Sequence, residues 1–190
     1  WPPMRGEREG VRMASCGQPI AGVDMRIADA TGRLKPPGEI GSIQVRGATV
    51  MRGYWKREAE TAAAFVDGWL DTGDLGHMDE DGFVFIADRA RDMIITGGEN
   101  VYSTEVEDVL YSHPDIAEAA VIGIPDPKWG EAVTAVVTLR GGADLTEQAL
   151  IDHCRKRLAR YKCPKSVRFL DSLPKSAAGK ILKHLLRDPA

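Results

Sequence analysis

Residues 85–107, FIADRARDMIITGGENVYSTEVE, constrain this chain more than any other stretch. A strand-like run at residues 83–87 follows the turn Asp79-Glu80-Asp81-Gly82 and runs straight into four charges, Asp88, Arg89, Arg91 and Asp92. Charges of that density do not enter a core unpaired, so the chain is expected at a surface or in a charged cleft there. A second apolar run, residues 93–95, stops at Thr96-Gly97-Gly98. Paired glycines after a strand permit positive φ and let backbone or ligand come close. Thr104 and Glu107 then have capping-box spacing, with Val106, Val109 and Leu110 as the apolar face of the helix they open. These residues suit a ligand-bearing joint between two regions and equally a plain hairpin leading into a helix.

The regions on either side differ. Before the charges the chain is strand-rich: residues 23–28 and 40–46 alternate across Pro36-Pro37-Gly38, and an Ala-rich helix at residues 57–65 leads to Trp69. After them, a helix is expected at residues 104–112 and strands at 119–124 and 132–139. A helix follows at 146–160 with Leu150, Ile151, Cys154 and Leu158 on one face, then a strand at 167–170 and a last helix at 181–187. That order implies a compact α+β domain. At 190 residues and 43% hydrophobic the chain can bury one core or two small ones. A net charge of −3 gives no basic footprint for nucleic acid, and no apolar run approaches a transmembrane segment or signal peptide. Cys16, Cys154 and Cys163 are odd in number and lack metal-ligand spacing, so the expected setting is reducing and cytoplasmic. The opening Trp1-Pro2-Pro3, with no periodicity in the first dozen residues, reads as the tail of something longer.

Three places could carry chemistry. In Gly68-Trp69-Leu70-Asp71-Thr72-Gly73-Asp74, expected to be a surface loop, Gly73 makes room and Asp74 offers two oxygens to a vicinal diol such as a ribose; alternatively Asp74 caps a turn. Arg89 is a rigid cationic fork for ribose or phosphate oxygens, or one half of a surface ion pair with Asp88 or Asp92. Residues 174–180, PKSAAGK, form a small-residue loop expected to be mobile, with Lys180 able to bring a point charge to a developing oxyanion; a solvated lysine opening the last helix is the other reading.

Taken in order, TGD after a tryptophan, then DRARDMIITGGENVYSTEVE, then PKSAAGKILK, this chain resembles the adenylate-forming superfamily of acyl-CoA synthetases, peptide-synthetase adenylation domains and firefly-type luciferases. The likeness starts at Ser15-Cys16-Gly17-Gln18-Pro19 and covers nearly the whole chain. It implies that residues 1–88 end a large AMP-binding domain, including part of its β-barrel, that 89–92 form a hinge, and that 93–190 form the small C-terminal domain. It further implies that a carboxylate attacks the α-phosphate of ATP to give an acyl-adenylate, from which a thiol displaces AMP. Asp74 and Arg89 would then hold the ribose and Lys180 would neutralise charge as carboxylate meets phosphate. Arg91 falls at the hinge position, where relatives usually have Asp or Lys.

Ile94-Ile95-Thr96-Gly97-Gly98-Glu99-Asn100 looks like acyl-CoA synthetases rather than the lysine-rich strand of peptide-synthetase domains. By that likeness Gly97 and Gly98 line the pantetheine path, and Trp129 and Tyr161 contact CoA, although both rings also suit core packing. Besides Arg91, two residues depart from the pattern: Cys163 stands where some relatives place an arginine for CoA phosphate, and Asp71 where His, Tyr or Arg is usual. No Ser/Thr/Gly-rich phosphate loop and no aromatic-Gly-x-Thr-Glu segment occurs in these residues. The implied reading is therefore the C-terminal portion of an acyl-CoA synthetase for a fatty or related carboxylic acid. It would use ATP, Mg²⁺ and CoA, with most Mg²⁺ ligands upstream, and would be inactive without the N-terminal domain. A carrier-loading adenylation domain and a non-catalytic nucleotide-binding module are the alternatives.

Overall fold

The computed structural model describes residues 12–187, so the opening segment and Asp188-Pro189-Ala190 lie outside the described residues. The chain divides between Arg91 and Asp92 into two compact units.

The first unit is an antiparallel sheet: β1 (Val23–Ala28), β2 (Gly41–Gly47), β3 (Phe65–Val66), β4 (Trp69–Met78) and β5 (Val84–Arg89), with the short helix α1 (Glu58–Ala64) preceding β3. The strand order is β1-β2-β4-β3, and β5 also lies along β4. β1 pairs with β2 over its full length, Val23 opposite Gly47 and Ala28 opposite Ser42. Two turns make that return: Asp29 Oδ1 accepts the N–H groups of Thr31 and Arg33 at 2.9 and 3.1 Å, and Gly38 takes the positive φ of the proline turn. Alternation sends Ile27 and Ile43 to a small core with Val84, Met25 and Met78. Register shifts at Ser42/Gln44 and Leu75/Gly76 bend the sheet along β4. Residues 69–74, expected in a loop, are the first half of β4. Their polar character suggests a turn, but β2 and β3 flank this segment and supply ladder partners that outweigh local propensity.

The second unit contains β6 (Ile94–Thr96), β7 (Glu99–Val101), α2 (Ser103–Tyr111), β8 (Ile116–Asp126), β9 (Gly130–Leu139), α3 (Glu147–Arg155), β10 (Ser166–Phe169) and α4 (His184–Arg187). β9 is central: β8 runs antiparallel along one edge, while β10, parallel, and β6 share the other. The nearly unbroken apolar runs of β8 and β9 follow from burial on both faces. Ala119, Val121, Val133, Ala135 and Val137 face a core built with Val106 and Leu110 of α2 and Leu150, Ile151 and Cys154 of α3. Ala120, Ile122 and Val136 point the other way, onto Leu173, Ile181 and Leu186 of the C-terminal segment. Truncating a fully buried side chain such as Leu110 to Ala should cost about 2–5 kcal/mol. Cys154 and Cys163 are core residues; burial pushes the Cys154 thiol up to about 11 and raises that of Cys163, so neither is a ready nucleophile.

Three helix expectations need correction. α2 starts at Ser103 with Tyr102 as its N-cap and no side-chain cap bond, so Thr104 and Glu107 form no capping box. Glu107 instead accepts the Val121 N–H of β8 at 2.7 Å and pairs with Lys183. α3 is capped by Thr146, whose hydroxyl accepts the Ala149 N–H, but it ends at Arg155 rather than residue 160, where the chain turns to bury Cys163. The last helix begins at His184, because Ile181 is taken into a bridge with Lys175. Among the described residues no helix is long and apolar enough to cross a membrane.

Candidate functional site

In the first unit, Asp74 of β4 and Arg89 of β5 are directly opposed across the antiparallel ladder. Arg89 Nε lies 2.8 Å from Asp74 Oδ1 in an ion pair, with the arginine half exposed and the aspartate more sheltered. The two residues expected to hold one ribose are therefore side by side, and the partner of Arg89 is Asp74 rather than Asp88 or Asp92. Asp88 is buried, its Oδ1 accepting the Arg89 N–H at 2.7 Å, and Asp92 pairs with Arg187 at 3.0 Å. Asp74 is no turn cap: it is Asp71 whose Oδ1 accepts the Gly73 N–H, while its Oδ2 accepts the Ser42 hydroxyl. That use of Asp71 ties β4 to β2. Gly73 is needed for its φ of +75°, since no atom of the described chain lies within 4 Å of where a Cβ would sit. With one oxygen committed to Arg89, Asp74 Oδ2 makes no hydrogen bond among the described residues, and the guanidinium keeps further N–H donors. Such a pair can accept from and donate to neighbouring hydroxyls of one sugar.

In the second unit, Gly97 and Gly98 form the two-residue turn between β6 and β7, both at positive φ. The close approach that Gly97 permits is made by this chain: a Cβ there would meet the Trp129 ring at 3.1 Å, and the Gly97 N–H donates to the Trp129 carbonyl at 2.7 Å. Trp129 is not core. It is 40% exposed, with the ammonium groups of Lys128 and Lys165 at 4.7 and 5.5 Å from its ring centroid. Tyr161 is 39% exposed, and its neighbour Lys162 bonds both carboxylate oxygens of Glu105 at 2.7 Å. Cys163, at an expected phosphate-contact position, is buried and points its thiol toward main-chain carbonyls.

Lys180 ends an internally bonded turn rather than an open loop. The Ser176 N–H donates to the Lys180 carbonyl at 2.8 Å, the Gly179 N–H to the Ser176 carbonyl at 2.9 Å, and the Lys180 N–H to Ser176 Oγ at 3.2 Å. Gly179 supplies φ of +78°. The exposed Lys180 ammonium has no hydrogen-bond or ion-pair partner among the described residues, and it precedes the last helix rather than opening it. Sequence reasoning missed Ser103 and Lys183 and read Glu107 only as part of a helix cap; the three meet at the outgoing side of this turn, and nothing in a single sequence links residues so far apart. Among the described residues no cluster of three or more His, Cys, Asp or Glu is arranged to hold a metal ion.

The first unit thus carries a carboxylate–guanidinium pair with hydrogen-bonding capacity left over, and the second a lysine presented on a glycine turn. The family model of the AMP-binding enzyme C-terminal domain matches residues 105–180, and that of the AMP-binding enzyme matches residues 3–55. A feruloyl-CoA synthase of Amycolatopsis sp is 47% identical over 93% of this chain and 36% of its own length. A long-chain-fatty-acid–CoA ligase of Bacillus subtilis is 50% identical over 90% of the chain and 31% of its own length. The solved structure of Bacillus subtilis o-succinylbenzoate CoA synthetase (MenE) in complex with the acyl-adenylate intermediate OSB-AMP superposes with a TM-score of 0.88 at 41% identity, covering 98% of this chain and 38% of that one. The chain belongs to the adenylate-forming, AMP-binding enzyme family. It spans about a third of the length of these relatives.

Proposed function

We propose that this chain is the C-terminal portion of an AMP-forming acid–thiol ligase. In that reaction a carboxylate oxygen attacks the α-phosphorus of ATP, the bond to the β-phosphate oxygen breaks, and pyrophosphate leaves. The CoA thiol then attacks the acyl carbon, AMP departs with the former carboxylate oxygen, and the thiol proton is lost. The observation that carries this reading is the likeness, over nine-tenths of the chain, to proteins named as a feruloyl-CoA synthase and a long-chain-fatty-acid–CoA ligase. Residues 1–88 are taken as the end of the large domain, 89–92 as the hinge and 93–190 as the small domain. Asp74 and Arg89 hold the ribose hydroxyls, Lys180 meets the charge developing at the α-phosphate, and Gly97, Gly98, Trp129 and Tyr161 border the CoA path. Mg²⁺ accompanies the triphosphate on ligands mostly outside these residues, and the 190 residues alone do not complete adenylation. We take the acid to be fatty, on the likeness to the long-chain ligase.

The test is to incubate the whole polypeptide containing this chain with ATP, Mg²⁺ and a panel of fatty and aromatic acids, with and without CoA. Acid-dependent pyrophosphate release followed by CoA-dependent thioester is the expected result, with fatty acids leading. Acid activation with loading of a carrier protein but not CoA would favour an adenylation domain, and ATP binding without pyrophosphate release a non-catalytic module. Asp74→Ala in that polypeptide should weaken ATP binding about ten- to a hundredfold, the worth of hydrogen bonds to a charged group. Its fold should change little, because an ion pair this exposed contributes at most about 1 kcal/mol. Unchanged nucleotide affinity by calorimetry would remove Asp74 from the ribose site.

A further inference from the structure

Lys180 is only as well placed as the turn that carries it, and both stalks of that turn are anchored by ion pairs. The stalks meet through the Lys175–Ile181 bridge and the Leu182 N–H, which donates to the Pro174 carbonyl at 2.8 Å. On the incoming stalk Lys175 pairs with Glu118 of β8. That contact is partly exposed and is expected to count for little. The outgoing stalk is held differently. Lys183 Nζ lies 2.6 Å from Glu107 Oε1 and donates to Ser103 Oγ at 2.7 Å. Both charged side chains are only 15% exposed, and Ser103 is fully buried.

The same Glu107 oxygen accepts the Val121 N–H, so one carboxylate ties together α2, the middle of β8 and the C-terminal segment. Ile181, between Lys180 and Lys183, packs onto the core face formed by Ala120, Ile122 and Val136. Lys180 thus stands one residue from a packed side chain and three from a sheltered ion pair, and its own exposed ammonium is bonded to neither. A sheltered, hydrogen-bonded ion pair is weak evidence of net stability but strongly resists being pulled apart, since either partner alone is left desolvated. Its effect is to fix one geometry.

We propose that the Ser103–Glu107–Lys183 cluster is a positioning device for Lys180, setting the turn from which that lysine reaches the reacting phosphate. The inference rests on the role of Lys180 given above. Removing the cluster should leave nucleotide and CoA contacts intact and blur the placement of one ammonium group. A misplacement on the order of 1 Å costs roughly a hundredfold in rate when the misplaced group acts in the transition state.

The decisive variant is Lys183→Met combined with Glu107→Gln, made in the whole polypeptide. This pair removes both charges together and keeps an acceptor for the Val121 N–H, so the unit is not left with a lone buried charge. Adenylate formation should fall roughly ten- to a hundredfold in kcat with the KM for ATP little changed. Thioester formation from supplied acyl-adenylate should stay at the wild-type rate, and Lys183→Arg with native Glu107 should recover most of the lost rate. Placed on a Lys180→Ala background the double change should have almost no further effect, because the group it positions is gone. Equal losses in both half-reactions, or full additivity with Lys180→Ala, would mark the cluster as structural only and overturn the inference. So would wild-type adenylation by the double variant. A wild-type adenylation rate for Lys180→Ala alone would instead overturn the assignment of Lys180, and this inference with it.

Discussion

In the whole polypeptide, Lys180→Ala is expected to slow adenylate formation by a factor on the order of a hundred or more, comparable to losing one oxyanion donor. The ammonium sits on an exposed turn and has no partner among the described residues, so its charge is not spent within the fold. In the reaction proposed above, two anions come together as the carboxylate approaches the α-phosphate, and negative charge grows on the leaving pyrophosphate. A point charge there stabilises the transition state more than bound ATP, so the loss should appear in kcat more than in KM. In the same proposal the thiol step displaces AMP from a mixed anhydride that already exists. Its rate, measured with pre-made acyl-adenylate, should survive. Lys180→Arg should recover only part, because a planar fork does not replace a compact ammonium at one point. The turn itself should be unaffected, since its hydrogen bonds use main-chain groups and Ser176 rather than the lysine side chain. Equal falls in both half-reactions would disprove the role given to Lys180.

Strands with strong patterns were legible in the sequence. Residues 23–28 are β1 as read, and the strands read at 119–124 and 132–139 fall within β8 and β9. The first half of β4 was not legible, because Asp71, Thr72, Gly73 and Asp74 look like a turn until β2 and β5 are placed beside them. The same blindness hid the Asp74–Arg89 pair: each residue was singled out, but their registration across a ladder depends on strand pairing rather than spacing. Glu107 was misread for a related reason. Capping-box spacing is a local signal, and the Val121 amide and Lys183 compete for that carboxylate from distant parts of the chain. Gly97 was flagged for close approach, and the approaching group is Trp129, which sequence placed only by resemblance.

Replacing Arg91 with proline tests whether the joint is a hinge. The residues on either side are each committed to their own unit: the Ala90 N–H donates to the Gly73 carbonyl at 2.9 Å, and Asp92 is paired with Arg187. Arg91 lies between them at the division of the two units, in a turn after β5, with its side chain exposed. If the small unit swings between half-reactions, the change in φ and ψ must be absorbed there, since moving Ala90 or Asp92 would break contacts that hold each unit together. Proline fixes φ near −65° and restricts the preceding Ala90 to extended backbone, so it selects one arrangement. In the whole polypeptide Arg91→Pro should keep adenylation and lower CoA transfer by on the order of a hundredfold. Single-turnover measurements of pyrophosphate release and of thioester formation separate the two steps. Wild-type rates for both steps in the proline variant would make Arg91 an ordinary linker residue, because a joint that need not change its dihedral angles is not the axis of a swing.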